Sequence, residues 1–245
     1  MVELHVDIPT ADGSMNSFVV HPEEGGPHPV VLFYMDAPGK REELHDMARR
    51  IAATGYFVVL PNLYYRRSRD YVLKERTEPL MAEMFEHMRS LNRHTNARDT
   101  RAMLAYVDCR PDVADGRRIA GLGYCMSGPF VVWAAADYPQ RFACIASIHG
   151  ANMATAEPDS PHRVAAQLRC ESYMACAQTD IWAPPEHIAQ FEAGLRGSGQ
   201  PYRLEWYPGA EHGFVFPGRA AYHRASAERH WERILSLFDR KLRAR

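Results

Sequence analysis

The chain has almost no net charge: 29 Lys and Arg stand against 30 Asp and Glu over 245 residues, a formal −1. Without a field of one sign there is no general attraction for nucleic acid, acidic polymers or a membrane surface. No apolar run approaches the length needed to cross a bilayer, so no membrane association is expected. No basic-then-apolar leader precedes the alternating stretch Val2–Ile8, and a cytoplasmic protein is expected. There are only five cysteines (Cys109, Cys125, Cys144, Cys170 and Cys176), and none forms a Cys-x-x-Cys pair. That excludes a disulfide framework and suits free thiols in a reducing compartment. No two histidines and an acid fall at metal-ligand spacing, so a zinc site is not expected. Internal repeats, low-complexity tracts and linker-like segments are also missing, and a single domain over 1–245 is the simplest expectation.

What is present is ordinary in bulk, 46% apolar and 24% charged residues, and informative in its order. Residues 2–8 and 16–21 read as a hairpin around Ala11-Asp12-Gly13-Ser14. Pro29–Tyr34, Tyr56–Leu60, Phe142–Ile148 and Ser172–Ala177 are short, continuous apolar runs of the kind buried in parallel sheets. Helical periodicity fills the intervals at 41–54, 78–92, 95–108 and 185–196, and a long final helix is expected over 219–242. This alternation predicts an α/β fold, a mostly parallel central sheet with helices on both faces and an N-terminal hairpin.

One junction carries chemistry. Arg118–Leu122 reads as a strand and Phe130–Ala136 as a helix, with Gly123-Tyr124-Cys125-Met126-Ser127-Gly128 between them. A strand turning sharply into a helix exposes the residue at the bend in strained geometry, and needs small neighbours two positions away on either side. Gly123 and Ser127 are small, and the residue presented is Cys125. This reads as a nucleophile elbow with sulfur in place of oxygen, which implies a hydrolase.

Ligands of such sheets gather at the carboxyl ends of the strands. After 172–178 comes Asp180; after a strand at 202–206 comes Pro208-Gly209-Ala210-Glu211-His212. Cys125, then Asp180, then His212 is the nucleophile–acid–histidine order of α/β-hydrolases. A free thiol is only a few per cent ionised at neutral pH; His212 would take its proton and Asp180 would orient the imidazole. The backbone N–H of Met126 and that of Ala37, in the loop after 29–34, are the expected oxyanion-hole donors. His149, also at a strand end, competes poorly as base because it precedes Asp180, and is a pocket candidate together with Tyr124. Each residue alone has a plainer reading as turn, cap or core. A non-catalytic small-molecule-binding relative and a redox-sensing thiol protein, with Cys144 or Cys176 as resolving partner, are the rival classes.

Taken together, the Asp36 loop, Leu60-Pro61-Asn62-Leu63-Tyr64, the Cys125 elbow, Asp180 and Pro208–Phe214 resemble the dienelactone hydrolase family over nearly the whole chain. The resemblance implies a cofactor-free cytoplasmic Cys-Asp-His hydrolase of esters or lactones, with a general carboxylesterase as its nearest alternative; a monomer or homodimer is expected. A glutamate that contacts the resting thiol in the family corresponds to Asp36, one methylene shorter. Two arginines that clamp the dienelactone carboxylate correspond to Phe216 and Met81. Met81, Met84, Phe85 and Met88 share one helical face, so Met81, Phe85 and Phe216 are the expected apolar pocket residues. A substrate more apolar or less acidic than dienelactone follows, unless Arg66, Arg67 or Arg219 supplies a charge from another direction.

Overall fold

The structure, a computed structural model, describes residues 1–243; Ala244 and Arg245 of the expected 1–245 domain lie outside the described residues. Its eight strands follow the order β1-β2-β4-β3-β5-β6-β7-β8 in one sheet. Two compact units divide the chain at Ile119/Ala120, within β5.

In the first unit β1 (Val2–Thr10) and β2 (Gly13–His21) form the expected hairpin. Thr10 pairs with Gly13, so the turn is tighter than the four-residue one read from sequence. β2 continues antiparallel to β4 (Phe57–Pro61), and β4 runs parallel to β3 (His28–Tyr34). Every residue of β4 is buried, which explains its unbroken apolar sequence. Helix α1 (Glu42–Ala52) covers this sheet with Leu44, Met47, Ala48 and Ile51, and carries acids in its first turn and arginines in its last, as the helix dipole favours. α2 spans Glu78–Arg89. α3 (Arg93–Asp108) starts at a capping box in which Asn92 and Thr95 exchange hydrogen bonds.

The second unit begins within β5 (Ala114–Tyr124). A 3₁₀ turn, Cys125–Ser127, leads into α4 (Gly128–Asp137), apolar almost all round and almost entirely buried. β6 (Phe142–Ile148), β7 (Glu171–Thr179) and β8 (Tyr202–Glu211) are successive parallel neighbours. Between them lie the short α5 (Pro161–Val164) and α6 (Pro185–Ser198). The last helix, α7, is Arg224–Phe238 and continues as a π-helix over Asp239–Arg243, so it starts later than the expected 219–242 and reaches the expected end. Pro217-Gly218 breaks the backbone, and the His223 ring, bonded to the Ser226 hydroxyl at 2.7 Å, fixes the start.

Candidate active site

The elbow follows from close approach. A Cβ on Gly123 would stand 2.2 Å from the Ser127 carbonyl oxygen, and one on Gly128 would stand 2.5 Å from the Gly150 Cα. Neither position accepts a side chain, so the bend can close. The Ser127 hydroxyl tightens it by accepting from the Tyr124 N–H at 2.9 Å. Cys125 takes φ = 53°, a conformation costly for a side-chain-bearing residue, and its sulfur stays half-buried rather than enclosed. The other four cysteines differ: Cys144, Cys170 and Cys176 are buried, and Cys109 is on the surface.

Strand register levels the other two residues. Ala177 pairs with Tyr207, but the next pair is Thr179 with Glu211. The extra residues bulge at Pro208-Gly209-Ala210, where the Gly209 N–H donates to the Gln178 side chain at 2.6 Å. The bulge brings Asp180 and His212, each the next residue along, to the same height. His212 Nδ1 lies 2.7 Å from Asp180 Oδ2, and His212 Nε2 lies 3.0 Å from Cys125 Sγ. The second carboxylate oxygen of Asp180 accepts from the Trp182 N–H at 2.9 Å. Both oxygens are thus held, which fixes the carboxylate plane and, through it, the imidazole.

Burial alone would disfavour a charged His212. The facing Cys125 sulfur and the Asp180 carboxylate outweigh it and raise His212 to about 10. The geometry is therefore that of a protonated imidazole held between the Cys125 sulfur and the Asp180 carboxylate. His149 experiences the reverse: complete burial, then the like charges of His212, Arg219 and His230, hold it well below the ordinary histidine range. Its ring meets His212 edge to face, with centroids 4.9 Å apart. A neutral imidazole beside a charged one follows.

Tyr124, Phe214 and Phe216 are enclosed around His149, with ring centroids 5.9, 5.5 and 5.7 Å from it. Tyr124 bonds His230 Nε2 at 3.1 Å. Tyr124 and Phe216 have no exposed surface and His149 is 1% exposed. These pocket candidates therefore form a packed backing to His212 rather than an open wall. Arg219 lies over the Phe216 ring at 4.0 Å and against Gly213, the residue after His212.

The remaining candidates belong to the first unit. Asp36 is fully buried and grips Arg41 with both oxygens, at 2.5 and 3.3 Å. Ala37 is buried, and its carbonyl accepts from the Tyr64 hydroxyl at 2.9 Å, which pins the loop after β3. Met81 and Phe85 are half-buried on α2, and Met84 is buried. Arg66 is committed to Asp99 and Asp12, and Arg67 faces Glu86 at 3.6 Å. Sequence reasoning missed Arg41, whose signal was a cation five residues after a lone strand-end acid, and Asn152, which gave none. Among the described residues no group of three or more His, Cys, Asp or Glu could hold a metal ion. No described helix is long and apolar enough to cross a membrane.

Residues 15–242 match the model of the dienelactone hydrolase family. A protein of Synechocystis with the provisional name carboxymethylenebutenolidase is 27% identical, the alignment covering 97% of this chain and 96% of the relative. One of the same provisional name from Escherichia coli is 26% identical over 94% of this chain and 84% of its own length. Among solved structures, a provisionally assigned dienelactone hydrolase of Klebsiella pneumoniae superposes with a TM-score of 0.87 at 23% identity, covering 97% of this chain and 98% of that one. A dienelactone hydrolase-like promiscuous phosphotriesterase from metagenomic libraries gives 0.80 at 20% identity over 98% of both chains.

Proposed function

The chain belongs to the dienelactone hydrolase family, and from that premise we propose that it hydrolyses small esters or lactones through a thioacyl intermediate on Cys125. The observation that carries this is the 3.0 Å approach of His212 Nε2 to Cys125 Sγ, with Asp180 at 2.7 Å on the far side of the ring. The thiolate attacks the substrate carbonyl carbon, and the carbonyl π electrons move to oxygen. The Met126 N–H, next after the nucleophile at the start of the helical turn, faces the developing charge; Ala37 is the second donor assigned from sequence. As the carbon–oxygen bond breaks, imidazolium gives its proton to the departing alkoxide. The neutral imidazole then takes a proton from water, hydroxide attacks the thioester, and collapse releases the acid and restores the thiolate–imidazolium pair.

The substrate is less acidic than dienelactone. Phe216 and Met81 stand where the family's carboxylate-clamping arginines are expected, and Arg66 is already paired with two carboxylates. Ile181 and Trp182, directly after Asp180, expose 82% and 41% of their surface, which suits an apolar acyl or aryl group. Parallel kinetics on neutral aryl and alkyl esters, neutral lactones and dienelactone test this. Higher kcat/KM on the neutral compounds is expected, with all turnover lost in Cys125→Ala. Preference for the dienelactone anion would contradict the substrate assignment, and activity retained in Cys125→Ala would contradict the mechanism. A general carboxylesterase would show a flat response across acyl chains, and a non-catalytic binder would show none.

A further inference from the structure

Among the described residues, the non-glycine positions with positive φ are Cys125 (53°), His149 (39°) and Asn152 (54°). Backbone strain persists only where surrounding contacts fix it, and it concentrates at functional sites. Two of these residues bound one short segment, and that segment reaches each member of the candidate triad. The Ala151 N–H donates to the Cys125 carbonyl at 2.9 Å. The Asn152 N–H donates to the Trp182 carbonyl at 3.0 Å, and Trp182 in turn donates its own N–H to Asp180. The His149 ring rests against the His212 ring. The segment is anchored in turn, since the His149 N–H bonds the Ala175 carbonyl at 2.7 Å and Gly150 sits against Gly128.

His149 itself is costly to keep. Both ring nitrogens are buried with no hydrogen-bond partner among the described residues, and an unpartnered buried polar group calls for a reason. The titratable and charged groups near it are His212, Arg219, His230 and Tyr124. All but Tyr124 can carry positive charge, so an uncharged ring is the one form that avoids repelling a protonated His212. A flat, neutral ring lodged edge to face against His212 also blocks rotation of that imidazole away from the sulfur.

Building on the hydrolase reading, we propose that residues 149–152 form a strained bracket that sets the triad's geometry, with His149 as a positioning residue for His212. It acts through ring shape and lack of charge, not by exchanging protons with substrate. Misplacement of a catalytic group by about 1 Å can cost about 100-fold in rate. His149→Asn, which tolerates a positive φ, therefore lowers kcat by about 100-fold with KM changed less than about twofold. It also slows iodoacetamide alkylation of Cys125 at pH 6 by about tenfold relative to pH 9, followed by peptide mass spectrometry. His149→Phe keeps a flat neutral ring and recovers most of both quantities. Asn152→Gly releases one strained residue while keeping its N–H, and lowers kcat about fivefold without moving KM.

Wild-type kcat in both His149→Asn and Asn152→Gly would overturn the proposal. So would a folded His149→Phe as impaired as His149→Asn, since the nitrogens would then act on the reactants directly. Unfolding of His149→Phe leaves the decision to the other two variants. The alkylation arm needs no substrate. Absence of turnover on every ester and lactone would defeat the hydrolase reading alone, while an alkylation profile unaltered in His149→Asn would defeat the bracket alone.

Discussion

Cys125 and Cys176 are the same side chain in the same unit, and their surroundings differ sharply. Cys176 lies inside β7, is 7% exposed, and burial, then the charge of Asp180, pushes its thiol up to about 12. Cys125 stands at the bend after β5 with an imidazole 3.0 Å away. Proximity to Asp180 is therefore not what distinguishes the proposed nucleophile, because Cys176 is only four positions from Asp180 in the chain. What distinguishes it is the forced backbone at φ = 53° and a cation delivered from the β8 bulge. A sulfur in a regular strand has neither, and remains a small buried hydrophobe.

The comparison breaks most sharply by deleting each thiol. Cys125→Ala and His212→Ala lower kcat/KM on an activated ester by about 10⁴-fold or more. Cys176→Ala leaves kcat/KM unchanged and costs about 1–2 kcal/mol in denaturant unfolding. Next in size is Asp180→Asn, which keeps the shape but upsets the tautomer, and lowers kcat by about 10³- to 10⁴-fold. Loss of activity in Cys176→Ala without loss of stability would erase the contrast.

Alkylation and pH sharpen it further. At pH 7 iodoacetamide modifies Cys125 and spares Cys176 until the protein unfolds. The stability consequences of both sites have one sign. His212 binds its proton more tightly folded than unfolded, so its contribution is complete below about 6.5, the ordinary histidine value, and is lost as pH rises through about 10. Cys176 stays neutral in the fold, while an unfolded thiol ionises above about 8.5, so its share falls from there upward toward about 12. Tm is therefore expected to fall between pH 7 and 10, and to fall less in His212→Ala. The smallest effect is at the rim: Trp182→Ala raises KM for apolar esters about three- to tenfold, the size expected of one lost apolar contact, with kcat unchanged.

Much of this was legible because some side chains are dictated by contact. Gly123, Ser127 and Gly128 are small because backbone presses on them, and the apolar runs of β3, β4 and β6 announce burial on both faces. Asp180 and His212 could be read from strand ends, although β8 runs on to Glu211 through a bulge rather than ending at 206. The bulge was hidden because Pro-Gly resembles a strand terminator. The strain at Asn152 and the burial of Tyr124 and Phe216 were not legible, since Asn152 has no motif like the one around Cys125 and the side of a ring that faces solvent is not encoded locally. The ion pair of Asp36 with Arg41 lay in plain spacing, yet only packing shows that it forms. Helix α7 starts late for a similar reason: Ala220 and Ala221 favour helix, but the cap forms at His223.

The most direct test of the account is to mix the protein with a 4-nitrophenyl ester on the millisecond scale, quench in acid, and weigh the intact chain and its peptides. A burst of one nitrophenolate per protein, with the acyl mass on the Cys125 peptide and discharged on standing in water, is the expected result. An acyl group on any other residue, or an undiminished burst from Cys125→Ala, would contradict it.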